Sequence, residues 1–249
     1  MTEAVAVTLP CGRWRDGRCA RRATVRPVTG ADQRFLLADA SRVPAERSTA
    51  LLDRCVTVEP GESARSLTIG DREALLLHVR RLTFGGTIDS VVTCPEPECG
   101  EQLDVELAVA DLLAAAPFAE EGPVLELAAG GRTLRFRLPT GADQEAAAAR
   151  AATDGVDAAA EQLLRDCLES DVSDVAAISD ALAGAMAARD PQAEIGLDLT
   201  CAGCGREFSV LFDAGDFLFR ELEQRSETLE RDVHEIGRAS CRERVCPHV

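Results

Sequence analysis

The feature that most restricts how this 249-residue chain can fold is that it repeats itself in order. Thr29-Gly-Ala-Asp-Gln33 recurs letter for letter as Thr140-Gly-Ala-Asp-Gln144, and Leu51-Leu-Asp-Arg-Cys55-Val is echoed by Leu163-Leu-Arg-Asp-Cys167-Leu. A hairpin pattern precedes each threonine: strand-like stretches at 4–9 and 23–28 about the turn Arg15-Asp16-Gly17, then at 124–127 and 134–138 about Gly130-Gly131. A cysteine pair closes each copy, Cys94 with Cys99 and Cys201 with Cys204. Threonine and cysteine lie 26 and 27 residues apart in the two copies, and the onward distances to the pairs are 39 and 34. One five-letter match can arise by chance; hairpin, Thr-Gly-Ala-Asp-Gln, Leu-Leu-x-x-Cys, helix and knuckle recurring in order argue for duplication. The expected fold is therefore α+β, internally duplicated into β-hairpin/helical halves, each ending in a zinc-ribbon-like cysteine knuckle. The halves are expected at 1–118 and 119–213, followed by a C-terminal helix at 214–234.

Helix starts are marked by Thr-x-x-Asp at Thr29, Thr68 and Thr140, where the hydroxyl takes an orphan amide and the aspartate suits the positive end of the helix. Pro44 fits the first turn of a helix carrying Leu51, Leu52, Cys55 and Val56 at helical spacing, so Cys55 is expected in the core. The helix opened by Thr68 shows Leu75, Val79 and Leu82 on one face and stops at Gly85-Gly86. His78 lies on it without a neighbouring nucleophile or carboxylate, as a packed or surface histidine. Further helices are expected at 110–116, 143–152 and 175–188, the last two rich in small residues. The stretch from Asp213 to His234 reads as one long charged helix with Phe217, Leu218, Leu222 and Leu229 as its apolar positions. It is expected to pack on the core rather than on a partner.

The cysteine pairs carry the clearest chemistry. Thr87-Ile-Asp-Ser-Val-Val-Thr precedes Cys94 and Glu101-Gln-Leu-Asp-Val-Glu-Leu follows Cys99; Glu194-Ile-Gly-Leu-Asp-Leu-Thr precedes Cys201 and Glu207-Phe-Ser-Val-Leu-Phe follows Cys204. Each pair thus sits in a turn between β-prone segments, with a glycine after its second cysteine. Two such knuckles supply the four sulfurs of a closed tetrahedral site, so Cys94, Cys99, Cys201 and Cys204 are the expected ligands of a structural zinc. Three other readings stay open at this point. A disulfide needs an oxidising compartment; thioredoxin-type redox chemistry needs Cys201 to open a helix; and a knuckle can keep its hairpin without metal.

No phosphate loop, His-Glu-x-x-His, Gly-x-Ser-x-Gly or dinucleotide fingerprint occurs, and three histidines leave little for acid–base work, so an enzyme with a small-molecule substrate is not expected. The formal charge of −16 argues against nucleic acid. Only the segment Arg13 to Arg26 is locally basic, which reads as a solvated hairpin surface. No apolar run approaches the about eighteen residues of a spanning helix, and the N-terminus lacks the features of a signal peptide, so a cytoplasmic protein without membrane contact is expected. Residues 235–249 read as translated adapter sequence and are set aside from fold reasoning, Cys241 and Cys246 with them.

Together, Thr68-Ile-Gly-Asp-Arg-Glu-Ala-Leu-Leu-Leu through Arg80-Arg-Leu-Thr-Phe-Gly85, the Cys94 knuckle, Leu138-Pro-Thr-Gly-Ala-Asp-Gln144, the Cys201 knuckle and Arg231-Asp-Val-His234 carry a resemblance. Over nearly all of 5–234 the chain resembles the baseplate hub assembly chaperones of T-even-type phage tails and, more closely, their relatives in bacterial contractile injection systems. The resemblance implies a non-enzymatic assembly factor or minor structural protein whose partners are baseplate or hub proteins. The first knuckle is two residues wider than the Cys-Pro-x-Cys-Gly usual in that family, and family members continue past the Val-His position into a further helical tail. A second class of function, a zinc-ribbon adaptor in a regulatory or transcription-related complex, is the alternative; neighbouring sheath, tube and spike genes would favour the first.

Overall fold

The computed structural model describes residues 4–38, 43–58, 62–113, 122–129 and 131–225. The chain enters through an antiparallel hairpin, β1 (Val5–Arg15) and β2 (Arg18–Val25). Asp16 and Gly17, at φ of 49° and 73°, form its two-residue turn, the handedness that matches the twist of paired strands. The β1 ladder slips between Thr8 and Arg13. Pro10 has no N–H to give there, and the N–H groups of Cys11 and Gly12 donate to the Asp71 carboxylate at 2.8 and 2.9 Å. This bulge bends the outer half of the hairpin over the rest of the molecule.

Next come α1 (Gly30–Leu37), α2 (Pro44–Cys55) and the short β3 (Val56–Thr57), which pairs with β2 to give a three-stranded sheet of order β1-β2-β3. A 3-10 turn at Ala64–Ser66 leads into α3 (Ile69–Phe84), followed by the hairpin β4 (Thr87–Thr93) and β5 (Gln102–Ala108) and the single turn α4 (Val109–Leu112). The second series runs β6 (Leu125–Ala129), β7 (Arg132–Phe136), α5 (Gly141–Asp154), α6 (Val156–Cys167), α7 (Ser179–Arg189), β8 (Ile195–Thr200) and β9 (Glu207–Phe212). A helix over 214–225, α8, completes it. The mixed α+β content expected from sequence is thus present. The end of the helix expected at 110–116, Gly130 of the second hairpin turn, Leu229 and His234 of the long helix, and the tail at 235–249 lie outside the described residues.

Local hydrogen bonding repeats with the sequence. Thr29 and Thr140 each form a capping box with the aspartate three residues on, Thr29 Oγ1 donating to Asp32 at 2.6 Å and Thr140 Oγ1 to Asp143 at 2.7 Å. Arg26 grips Asp32 with both terminal nitrogens and donates to the carbonyl of Arg54; Arg137 grips Asp143 in the same way and donates to the carbonyl of Asp166. The main chain closes each unit alike, Arg26 N donating to Cys55 O and Arg137 N to Cys167 O, both at 2.9 Å. Cys55 and Cys167 are both buried, as core residues.

Packing around these units differs. One large core gathers Leu9, Val25, Leu51, Leu52 and Ile88 around α3, and Leu218, Phe219 and Leu222 of α8 complete it. Each such leucine, fully withdrawn from water, contributes about 2 kcal/mol. The expected single apolar face of α3 is corrected: Leu75, Leu76, Leu77 and Val79 are all buried, together with Asp71, Arg72 and Arg80, while Leu82 is only half-buried. A helix wrapped on every side needs no stripe. α8 is fixed by polar bonds as well, with Arg80 pairing with Glu221 at 2.7 Å and Gln33 Nε2 donating to Leu222 O at 2.6 Å. The second series has only small clusters, one of Leu125, Phe136, Cys167, Leu182 and Met186, the other of Leu134, Val172 and Val175.

The two series meet where α3 and α5 begin. Thr68 and Thr140 form an antiparallel bridge, with Ile69 N donating to Pro139 O and Gly141 N to Leu67 O. Beneath it, the buried Arg72 guanidinium donates to Thr49 Oγ1 and to the carbonyls of Ala45 and Ala64, tying α3 to α2 and to the turn before α3.

Candidate metal centre

The β4–β5 and β8–β9 hairpins end in two turns, and all four cysteine thiols meet between them. Cys94 N donates to Glu101 O at 2.8 Å across the first turn, and Cys201 N to Arg206 O at 2.9 Å across the second, so each turn is closed by one bond in the same place. Gly100 and Gly205, at φ of 60° and 74°, let the chain double back directly after the second cysteine; any side chain there would be strained. The two extra residues of the first knuckle, Pro97 and Glu98, are absorbed by an added turn in which Cys99 N and Gly100 N both donate to Glu96 O. Backbone amides reach the sulfurs: that of Glu96 faces Cys94, that of Glu101 faces Cys99, and those of Cys204 and Gly203 face Cys201. Such donors favour thiolate over thiol.

All four sulfurs lie within 4.8 Å of one another. Across the knuckles, Cys94 Sγ is 3.8 Å from Cys204 Sγ and Cys99 Sγ is 3.7 Å from Cys201 Sγ. A tetrahedron with metal–sulfur bonds of about 2.3 Å has edges of about 3.8 Å, so the spacing suits a four-thiolate site. The same separations exceed the about 2.05 Å of a sulfur–sulfur bond, and the four cysteines are free thiols. Thioredoxin-type chemistry lacks its helix, because Cys201 opens a turn that leads into β9. Arg206 pairs with Glu96 across the two turns, a contact between hairpins 110 residues apart that neither knuckle shows alone.

The family model for the T4 bacteriophage base plate protein matches residues 18–219. The chain belongs to that family. Neither curated proteins nor solved structures give a match.

In this baseplate-family chain the matched span includes all four thiols, both capping boxes and the seam between α3 and α5. Membership implies contact with other baseplate proteins, and among the described residues no helix is long and apolar enough to cross a membrane. His78 is half-buried on α3, and burial with Arg81 nearby pushes its pKa down to about 4, in keeping with a packed neutral imidazole.

Two features go beyond the sequence reading. Asp71 does not close a capping box with Thr68; its carboxylate accepts from the β1 bulge, although Asp71 N still donates to the Thr68 hydroxyl at 3.3 Å. Asp190, at the end of α7, is buried beside it and accepts from Gly70 N at 2.9 Å. Burial, with Asp190 near, pushes Asp71 up to about 7, against the pull of the Cys11 and Gly12 amides. The second feature is the basic segment of the first hairpin. It is not wholly a solvated surface, since Arg13 and Arg21 line a cleft rather than face open solvent. Charge density pointed to the segment, but nothing local in sequence gave its direction.

Proposed function

We propose that this protein is a non-enzymatic assembly factor, or a minor structural protein, for the baseplate hub of a contractile phage-tail-like particle, acting in the cytoplasm on baseplate or hub subunits. The observation that carries the reading is the baseplate family match over 18–219. The repeated element order and the matching capping boxes support two duplicated halves, at 1–118 and 119–213, that face each other and each donate one knuckle.

The thiol cluster is read as a structural zinc site held by Cys94, Cys99, Cys201 and Cys204. A bound zinc would supply bonds that tie the two hairpins together and add directly to folding stability. With four protein ligands it has no open position for a substrate. The chain's own part is to fix the sulfurs by the two closing bonds, to aim backbone amides at them, and to brace the turns through Arg206 and Glu96. Nothing in the fold favours the regulatory-adaptor alternative.

Deletion of the gene in a host that makes such particles tests the role. Free sheaths and tubes without baseplates are expected by electron microscopy, and mass spectrometry of intact wild-type particles separates the two forms of the proposal. A protein absent from finished particles is a chaperone, and one present at defined copy number is a structural component. Normal particles from the deletion strain would sink both. For the metal, one zinc per chain is expected by elemental analysis, lost together with thermal stability in Cys201→Ser; unchanged zinc content in that variant would remove the shared site.

A further inference from the structure

A cleft of about 480 Å³ opens between the outer half of the β1–β2 hairpin and the start of the second series. Its size is in the range of binding sites rather than of packing defects. Arg13, Arg21, Arg137 and Arg189 line it, with Trp14 and Leu138 among its apolar walls. Among the described residues that line it none is acidic, in a chain with 43 Asp and Glu against 27 Arg. The described lining is thus richer in arginine than the chain as a whole.

The fold builds this cleft rather than leaving it by accident. The Asp71 carboxylate holds the bulge at Cys11 and Gly12 and so turns Arg13 and Trp14 over the opening. Arg21 Nη1 donates to Pro10 O at 2.7 Å, which fixes its stem along the same bend. On the opposite wall Arg137 is held by Asp143 and by the carbonyls of Leu138 and Asp166, so its guanidinium is fixed in place with much of its charge matched by that carboxylate. Thr68 and Thr140, bridged at the seam, line the cleft as well, their hydroxyls held by the Asp71 amide and the Asp143 carboxylate. At the mouth, Glu62 pairs with Arg13 and reaches Arg15 at 3.7 Å, a carboxylate already seated where an incoming one would sit.

We propose that this cleft binds an acidic peptide segment of a protein partner, with one apolar side chain against Trp14 and Leu138 and flanking carboxylates among the arginines. Charge complementarity selects the occupant. Nucleic acid would have to bring a continuous phosphate backbone against a molecule of net charge −16, whereas a short acidic segment enters this arginine-lined cleft and leaves the remaining surface untouched. The partner's identity rests on the assembly reading above, but occupancy of the cleft does not, and the two fail separately.

Trp14 is the only tryptophan and the chain has no tyrosine, so its emission reports on this cleft. The probe is an acetylated, amidated Glu-Leu-Asp-Glu peptide, with Gln-Leu-Asn-Gln as the uncharged counterpart, titrated into the full chain and followed by tryptophan emission and calorimetry. Saturable binding is expected for the acidic peptide only, weakening about tenfold or more between about 0.05 M and 0.5 M salt. Arg13→Gln is expected to weaken it by about fivefold or more, while Glu62→Gln, which removes the competing carboxylate, tightens it by about threefold. Arg150→Gln, exposed and remote on α5, leaves it unchanged. Because the two cleft variants move affinity in opposite directions, general loss of folding cannot imitate the result. No saturable signal by either method, equal binding of the uncharged peptide, or equal affinities across the variants overturns the proposal.

Discussion

Thr29-Gly-Ala-Asp-Gln33 and Thr140-Gly-Ala-Asp-Gln144 build the same cap from the same five letters, yet the two caps sit in different company. Asp32 is engaged by two guanidiniums, with Arg54 Nε donating at 2.7 Å in addition to Arg26, and its side chain is 1% exposed. The residue preceding Cys167, in the place Arg54 holds before Cys55, is Asp166, so Asp143 keeps Arg137 alone and is 13% exposed. The glycines differ too. A Cβ on Gly30 would meet nothing within 4 Å, whereas one on Gly141 would lie 2.3 Å from Arg72 Nη1. Local sequence is therefore enough to specify a cap, and its energetic weight is assigned by what the rest of the chain packs against it.

Substitutions at the cap carboxylates put this contrast under the greatest strain. Asp32→Ala is expected to cost about 3 kcal/mol, since it removes a cap and leaves two partly buried guanidiniums facing each other. Asp143→Ala is expected to cost about 1.5 kcal/mol, because one arginine is left and it is better hydrated. Denaturant melts of both variants compare them directly, and equal losses would show that packing does not distinguish the copies.

The glycines sharpen the point without touching charge. Gly141→Ala is expected to cost about 2 kcal/mol, because the Arg72 guanidinium is held by three acceptors and cannot swing aside. Gly30→Ala should change stability by less than about 0.5 kcal/mol in either direction. A neutral Gly141→Ala would mean that Arg72 is not fixed as described.

The pH dependence separates the cap carboxylates from the carboxylate that left its cap. Burial works against Asp143, but bonds from Arg137 and Thr140 hold its pKa down to about 2, so its contribution is present above the usual carboxylate range and lost as pH falls towards 2. Burial works against Asp32 too, but Arg26, Thr29 and Arg54 hold its carboxyl well below the usual range. Asp71 is raised to about 7, so its contribution is full in acid and lost as pH rises through 7. Burial, with Asp213 near, pushes Glu73 up to about 7 as well, and burial raises Asp190. Stability is therefore expected to fall by about 2 kcal/mol or more between pH 5 and pH 8, and Asp71→Asn should make that slope shallower while lowering stability overall. Melts that rise steadily over the same range would contradict the buried, anionic-averse setting of Asp71.

The smallest effect comes from copying the richer cap into the poorer one. Asp166→Arg places a second guanidinium before Cys167, and a gain of up to about 0.5 kcal/mol is expected, with the Asp143 pKa moved lower still. Loss of stability would show that the space beside Asp143 does not admit the geometry seen at Asp32.

Much of the fold was legible because its signals are local. The Asp16-Gly17 turn, Pro44 at a helix start, the threonine caps and the glycine after each second cysteine all act within a few residues of themselves. The knuckles were legible as a pair because each carries its own turn. Three Thr-x-x-Asp segments, however, look alike in sequence, and only two make capping boxes. Asp71 accepts from the β1 bulge because two unpaired amides arrive from sixty residues away, and a carboxylate that satisfies two buried donors is worth more there than at its own helix end. The arginines between 13 and 26 gave charge density without direction, since direction depends on that same bulge.

Sequence alone marked the hairpin turns, the helix starts at Thr29, Thr68 and Thr140, a motif order that recurs, and the four sulfurs that can share one site. Strand and helix bounds differed: the first hairpin runs Val5–Arg15 and Arg18–Val25, and the helix expected at 175–188 begins at Ser179. Only the folded chain shows that the four thiols come within 4.8 Å of one another, that α8 completes the large core around α3, and that an arginine-lined cleft opens in an acidic protein. The physical reason is range. Caps and turns are satisfied by neighbours a few residues away, whereas burial, long-range ion pairs and the shape of a cleft depend on groups that only the folded chain brings together.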